Sequence, residues 1–283
     1  MELQKILTDF LESSKMSASS LARAIGASPA LITQIKKGNY AGDVELWGKK
    51  IQDFIANFCA KKIKEECENI FASKDFNMAT FVANEAVNEK EIALIFGEAG
   101  SGKTTIISEF IKDKPQSILI EATCHTTAKV LLEDLCERLR LEVSGSAHKK
   151  LKAIARYLKN SEKILIVDEA EYLPLNVLED LRRIVDFARV PLILVGTEVL
   201  YKNLMGKNKE LKQLYSRICG KWMLKGLSKE ESKSFYGVDF YKYTNGNFRS
   251  SAKLYKKALR LAELEEAELN DALIATASEM VIL

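Results

Sequence analysis

The sequence predicts an α/β fold: a parallel sheet covered by helices on both faces, with a small all-helical segment in front of it. Two observations carry that expectation. Five short apolar runs, Ile92–Phe96, Ser117–Ile120, Ile164–Val167, Leu192–Val195 and Trp222–Leu224, alternate with helical periodicities such as Lys129–Leu139 and Lys149–Leu158. Strands that are apolar throughout are buried on both faces, as in a parallel sheet. In addition, a glycine-rich stretch, Gly97–Thr105, directly follows the first run, and an Asp-Glu pair closes the third.

The 283 residues are enough for two or three compact parts. A hydrophobic fraction of 47% and a charged fraction of 29% exclude a disordered or fibrous chain. No apolar run approaches the length of a membrane span, and the N-terminus lacks the pattern of a secretory signal, so no membrane partner is expected. The five cysteines are odd in number and show no C-x-x-C spacing, which points to reduced thiols in a cytoplasmic protein. Cys124 beside His125 lacks the further ligands a metal would need, since only two histidines exist. A net charge of +3 decides little, but its distribution is uneven. Basic stretches at Ser13–Gly42, Lys149–Lys159 and Lys202–Lys225 contrast with the acidic run Glu263–Glu268, as suits contact with a polyanion at particular faces.

Residues 1–60 read as four short helices. The first carries Leu3, Ile6, Leu7, Phe10 and Leu11 at helical spacing. Ser17 caps the second, which ends at Gly26; Ser28 caps the third, with Pro29 at its first helical position, and Gly38 ends it. Val44, Trp47, Ile51, Phe54 and Ile55 mark the fourth. With small Ala22 at the helix crossing and Gly26 in the turn, the segment resembles the helix-turn-helix of phage-repressor-type domains. That resemblance makes Ser28–Lys37 a recognition helix. Ser28, Thr33 and Gln34 would face double-stranded DNA with Lys36 and Lys37 on its phosphates. These side chains include no Arg and few strong base readers, so weak sequence preference is expected. Ala18 stands where such domains often carry a Gln.

Residues 61–75 read as a charged linker, 76–226 as the sheet-bearing core and 227–283 as a helical lid. In the core, Gly97, Glu98, Ala99, Gly100, Ser101, Gly102, Lys103, Thr104 and Thr105 fit G-x-x-x-x-G-K-[ST] between a strand and a helix. Glycines allow backbone N–H groups to converge on a polyphosphate, Lys103 reaches its terminal groups, and the Thr104 hydroxyl suits Mg²⁺. Asp168 ends the third strand as a second Mg²⁺ ligand, and Glu169 is the candidate base for the attacking water. ATP and Mg²⁺ are therefore the expected cofactors.

These motifs identify residues 76–283 as resembling the AAA+ superfamily, which implies a sheet of order 5-1-4-3-2 and a nucleotide site at a subunit junction. On that resemblance Thr197, after the fourth strand, would contact the water or γ-phosphate, where Asn is more usual. Arg217, in Leu214–Ile218, would be the arginine finger for a neighbouring subunit, and Arg249, in Gly246–Arg249, would touch the nucleotide from the lid. Domain order, length and lid size are similar to the Mu B family of phage transposition proteins. That likeness implies ATP-dependent, largely nonspecific DNA binding, self-association into a helical filament, and a transposase partner. Lys149, Lys152 and Arg156, with Lys159, share one helical face that could track phosphates; Lys202, Lys207, Lys209 and Lys212 are second candidates. The same engine would also serve a helicase loader or replication initiator with a helicase partner, or a nucleotide-sensing transcriptional regulator.

Overall fold

The computed structural model describes residues 2–14, 16–40, 42–44, 46–55, 58, 71–206 and 212–282. The chain divides into two compact units, residues 1–70 and 71–283. Most of the expected linker, with Lys207 and Lys209, lies outside the described residues.

The first unit is helical among its described residues. It comprises α1 (Glu2–Ser14), α2 (Ala18–Ile25), α3 (Pro29–Lys37) and α4 (residues 46–55). Apolar side chains at helical spacing, among them Leu7, Phe10, Leu21, Ile32, Ile35 and Ile51, close one core. The helix ends follow from their residues. Ser17 Oγ accepts from the Ser20 N–H and Ser28 Oγ from the Leu31 N–H, while Gly26 and Gly38 take the left-handed conformation that ends α2 and α3. Ala22 is fully buried, and its carbonyl accepts from the Ala27 N–H at 2.7 Å, which sets the tight link between α2 and α3.

In the second unit, α5 (Lys74–Glu89) precedes β1 (Ile92–Gly97) and α6 (Lys103–Asp113), followed by β2 (Ser117–Glu121), α7 (Ala128–Arg138) and α8 (Ala147–Leu158). Next come β3 (Ile164–Asp168), the short η1 (Ala170–Tyr172), α9 (Leu175–Ala188) and β4 (Leu192–Gly196). The core ends with α10 (Glu198–Met205), α11 (Lys212–Tyr215) and β5 (Ile218–Leu224). All four strand pairings are parallel, in the order β2-β3-β4-β1-β5, the expected order read from the other edge.

Period-two side-chain placement explains why the strands are apolar throughout. Ile92, Leu94 and Phe96 pack with Leu165, Val167 and the helices α7–α9 on one face; Ala93 and Ile95 pack with Ile166, α5 and α6 on the other. One expectation is corrected in extent: the fifth strand runs over Ile218–Leu224, not Trp222–Leu224 alone. It is an edge strand with partly exposed residues, so Gly220 and Lys221 interrupt the apolar run without ending the pairing. A Cβ on Gly220 would meet Val82 of α5 at 3.1 Å, so the glycine serves close packing.

The C-terminal segment expected as a lid comprises α12 (Lys229–Tyr236), α13 (Tyr241–Thr244), α14 (Phe248–Leu264) and α15 (Asp271–Glu279) around Leu227, Tyr236, Phe240, Leu254 and Ile274. Asp75, at the start of α5, is buried and accepts from Trp222 Nε1 at 2.9 Å and from the Lys225 and Gly226 N–H groups at 2.7 and 2.8 Å. Residues placed at the end of the linker by sequence thus belong to the packed unit, where Ser73 caps α5. No helix among the described residues is long and apolar enough to cross a membrane.

Candidate active site

In a parallel sheet the carboxyl ends of the strands gather ligand-binding loops. Here β1 delivers Gly97–Gly102 to that edge and β3, two strands away, delivers Asp168. Gly100 and Gly102 hold φ of +83° and +96°, which an L side chain rarely adopts, so the loop curls back into the start of α6. Ser101 is buried, and its Oγ has no hydrogen-bond partner among the described residues. Thr104 and Thr105 lie exposed on the first turn of α6.

The Lys103 ammonium is mostly buried and donates to Gly97 O at 2.9 Å and Glu98 O at 2.8 Å. Of its three N–H donors these use two. Burial pulls its pKa down, while the Glu171, Glu169 and Asp168 charges oppose that fall. Thr104 Oγ1 donates to Asp168 Oδ2 at 2.9 Å, and Asp168 Oδ1 accepts from the Glu169 N–H at 2.8 Å. A buried carboxylate beside a hydroxyl forms a hard oxygen pair, a donor set that suits Mg²⁺. Glu169 itself sits at φ +54°, a strained conformation for a side-chain-bearing residue. Partial burial raises its carboxyl pKa, and the nearby Glu171 and Asp168 charges add to the rise.

Glu171 was missed by the sequence reading. Its Oε2 is buried without a hydrogen-bond partner among the described residues, beside Gly196, where a Cβ would lie only 2.4 Å away. The available signal was its spacing, two residues beyond Glu169 in Asp-Glu-Ala-Glu. Asn247 was missed as well. It caps α14 and donates to Ala99 O of the phosphate loop at 2.8 Å.

The other expected residues are placed as follows. Thr197 follows β4 at the same carboxyl edge, and its Oγ1 caps α10 by accepting from the Val199 N–H. Arg249 lies over the loop, its backbone N–H donating to Gly100 O at 3.2 Å. Arg217 is not with them. It precedes β5, its carbonyl accepts from the Ile92 N–H, and it therefore lies at the opposite end of β1 from Gly97, roughly 17 Å of strand away. Its side chain is half-exposed, with Nε 2.9 Å from Asp186 Oδ1 of α9. Asp186 also pairs with Arg182, which pairs with Glu179.

Lys149, Lys152 and Arg156 of α8 and Lys159 just past its end are exposed, whereas Lys150 turns inward to Glu133 at 2.6 Å. On α3, Ser28, Thr33, Gln34, Lys36 and Lys37 are all exposed, but two hydroxyls are engaged locally: Ser28 as cap and Thr33 on Pro29 O. Lys202 lies 3.9 Å from Glu198, and Lys212 is exposed.

Comparison with known proteins agrees with this geometry. The family described as "AAA domain" matches residues 87–204. The "Mu-like prophage FluMu DNA transposition protein B" of Haemophilus influenzae is 28% identical over 246 residues, covering 83% of this chain and 84% of that protein. The "ATP-dependent target DNA activator B" of Escherichia phage Mu is 25% identical, covering 81% of this chain and 74% of that protein. Among solved structures, the ORC2 protein of Aeropyrum pernix superposes with a TM-score of 0.55 at 18% identity, over 73% of this chain and 68% of that one, a likeness of fold alone. Residues 87–204 thus match a nucleotide-binding AAA ATPase domain, and the chain is similar along most of its length to the B transposition proteins of Mu-like phages.

Proposed function

We propose that this protein is an ATP-dependent, largely nonspecific DNA-binding ATPase that self-associates on DNA and activates a target for a transposase. The observation that carries the reading is the similarity to target DNA activators along most of both chains, with a complete phosphate-loop site inside the matched region. Thr104 and Asp168 would hold Mg²⁺, which neutralises charge on the phosphates. Lys103 binds and orients the terminal phosphates. Glu169 orients the attacking water and accepts its proton; a raised pKa brings the carboxylate nearer the working pH for that task.

Arg217 lies at the far end of β1 from its own phosphate loop, a placement that supports a role at the site of a neighbouring subunit. There its guanidinium stabilises charge spread over the transferring phosphoryl group. The exposed face of α8 and the basic end of α3 supply phosphate contacts to duplex DNA. Electron microscopy with ATP, with and without duplex DNA, tests the reading: a DNA-dependent filament is expected, and Lys103→Ala should abolish it. Nucleotide-independent DNA binding with unchanged oligomeric state would overturn it, and capture of a helicase in place of a transposase would reassign the partner.

A further inference from the structure

The lid does not merely sit above the nucleotide site; it holds the backbone of the phosphate loop. Asn247 Nδ2 donates to Ala99 O at 2.8 Å, while its Oδ1 accepts from the Ser250 N–H at 3.2 Å and so caps α14. Two residues on, the Arg249 N–H donates to Gly100 O at 3.2 Å. Two successive loop carbonyls are therefore engaged by two groups of the lid. The partners also fix the amide orientation of Asn247, since one of its atoms faces a donor and the other an acceptor.

In a trans peptide the N–H points away from the C=O of the same plane. Holding Ala99 O against the lid thus turns the Gly100 N–H the other way, into the cradle. The next plane is held from both sides, by Arg249 on Gly100 O and by the Ser101 N–H on Glu98 O at 3.2 Å. The approach is so close that a Cβ on Gly100 would lie 2.5 Å from Asn247 Oδ1 and 2.9 Å from Arg249 Cβ. The lid in turn is fixed to the exit of β5: the Leu227 N–H donates to Gly246 O at 2.8 Å, and a Cβ on Gly246 would lie 2.1 Å from Leu227 O.

We propose that Asn247 is a positioning residue for phosphate binding, a latch from the lid that orients the loop peptides, so that lid seating and nucleotide affinity are set together. The proposal rests on Gly97–Thr105 being the nucleotide site. Among good capping residues asparagine carries the acceptor for the helix and the donor for the loop on two separate atoms of one short side chain. Asn247→Ser keeps a capping oxygen, adds no charge and removes the Nδ2 amide that reaches Ala99 O, leaving only a shorter hydroxyl at the cap, which separates the two roles.

The test uses the full chain, with a fluorescent ATP analogue titrated into wild type, Asn247→Ser and Lys103→Ala. Amide hydrogen exchange of residues 246–252 is measured with and without nucleotide. The expected result for Asn247→Ser is an unchanged nucleotide-free melting temperature and affinity weaker by roughly three- to tenfold, as for one lost neutral hydrogen bond. Lid protection on adding nucleotide should also be smaller than in wild type. Wild-type affinity and protection in the variant would overturn the latch, and so would an affinity loss matched by an equal loss of nucleotide-free stability. Should the serine variant not fold, Asn247→Gly replaces it, since glycine is also accepted at a helix N-cap. Failure of wild type itself to bind the analogue would instead overturn the assignment of the nucleotide site.

Discussion

Thr104 Oγ1 and Asp168 Oδ2 stand 2.9 Å apart although 64 residues separate them in the chain. One residue opens the helix after β1 and the other ends β3, so the sheet itself sets their spacing. Thr104→Val conserves shape and removes the hydroxyl. The Mg²⁺ concentration for half-maximal ATPase activity should rise by roughly tenfold or more, as for loss of a group that holds or orients a metal. An unchanged Mg²⁺ titration would remove Thr104 from the metal site.

Glu169→Gln should retain ATP and lose hydrolysis by roughly 10²- to 10⁴-fold, the usual contribution of a positioned base. Because burial and then the charges of Glu171 and Asp168 raise the Glu169 pKa, the base is protonated earlier as pH falls. The acid limb of the rate should therefore lie above the ordinary glutamate range. Glu171→Gln removes a like charge and should move that limb to lower pH. A limb that stays fixed in a pH–rate profile would show that Glu169 does not feel Glu171.

Glu169→Gln and Arg217→Ala should each be inactive alone, for different reasons. Mixed together, a Glu169→Gln subunit, which still holds ATP, can lend its arginine to the intact loop of an Arg217→Ala neighbour. Random mixing should restore about a quarter of wild-type ATPase, the share of junctions with both parts intact in a head-to-tail assembly. Mixtures that stay inactive would argue that Arg217 does not act across subunits.

Asp75 accepts three hydrogen bonds from β5 and its exit. Asp75→Ala leaves the Trp222 indole and two backbone N–H groups without their partner, at a cost of roughly 3 kcal/mol. For a unit of this size that corresponds to a fall in melting temperature of roughly 6–12 °C, measurable by calorimetry. A fall under about 2 °C would mean that water replaces the carboxylate.

Burial, with Glu89 and Glu91 beside it, pushes the Cys219 thiol up to about 11, whereas Cys124 is exposed. Since the thiolate is the reactive form, iodoacetamide at pH 8 should label Cys124 well before Cys219 in peptide mass mapping. Comparable labelling would indicate that β5 opens in solution.

The sheet was legible because burial on both faces leaves unbroken apolar runs, and the phosphate loop because its glycines and lysine answer a local demand. The extent of β5 was not, since an edge strand keeps solvent on part of its length and Gly220 breaks the pattern for packing reasons. Glu171, Asp186 and Asn247 share another cause. Each acts through a partner distant in sequence or in another turn: Glu171 beside Gly196, Asp186 with Arg217, and Asn247 with Ala99. Local pattern carries the motif; only the folded chain shows what holds it.

The separation of Gly97 and Arg217 at opposite ends of β1 has an arithmetic consequence. On the proposed role of Arg217, each complete site in an open head-to-tail stack needs a loop from one copy and an arginine from the next. Such a stack has one fewer complete sites than subunits: none for a single copy, one for a pair. Specific activity should then climb with length toward a plateau, and the two termini differ, one keeping an unassisted loop and the other an idle arginine. Turnover becomes a measure of length, and the terminus without an arginine is where ATP persists longest.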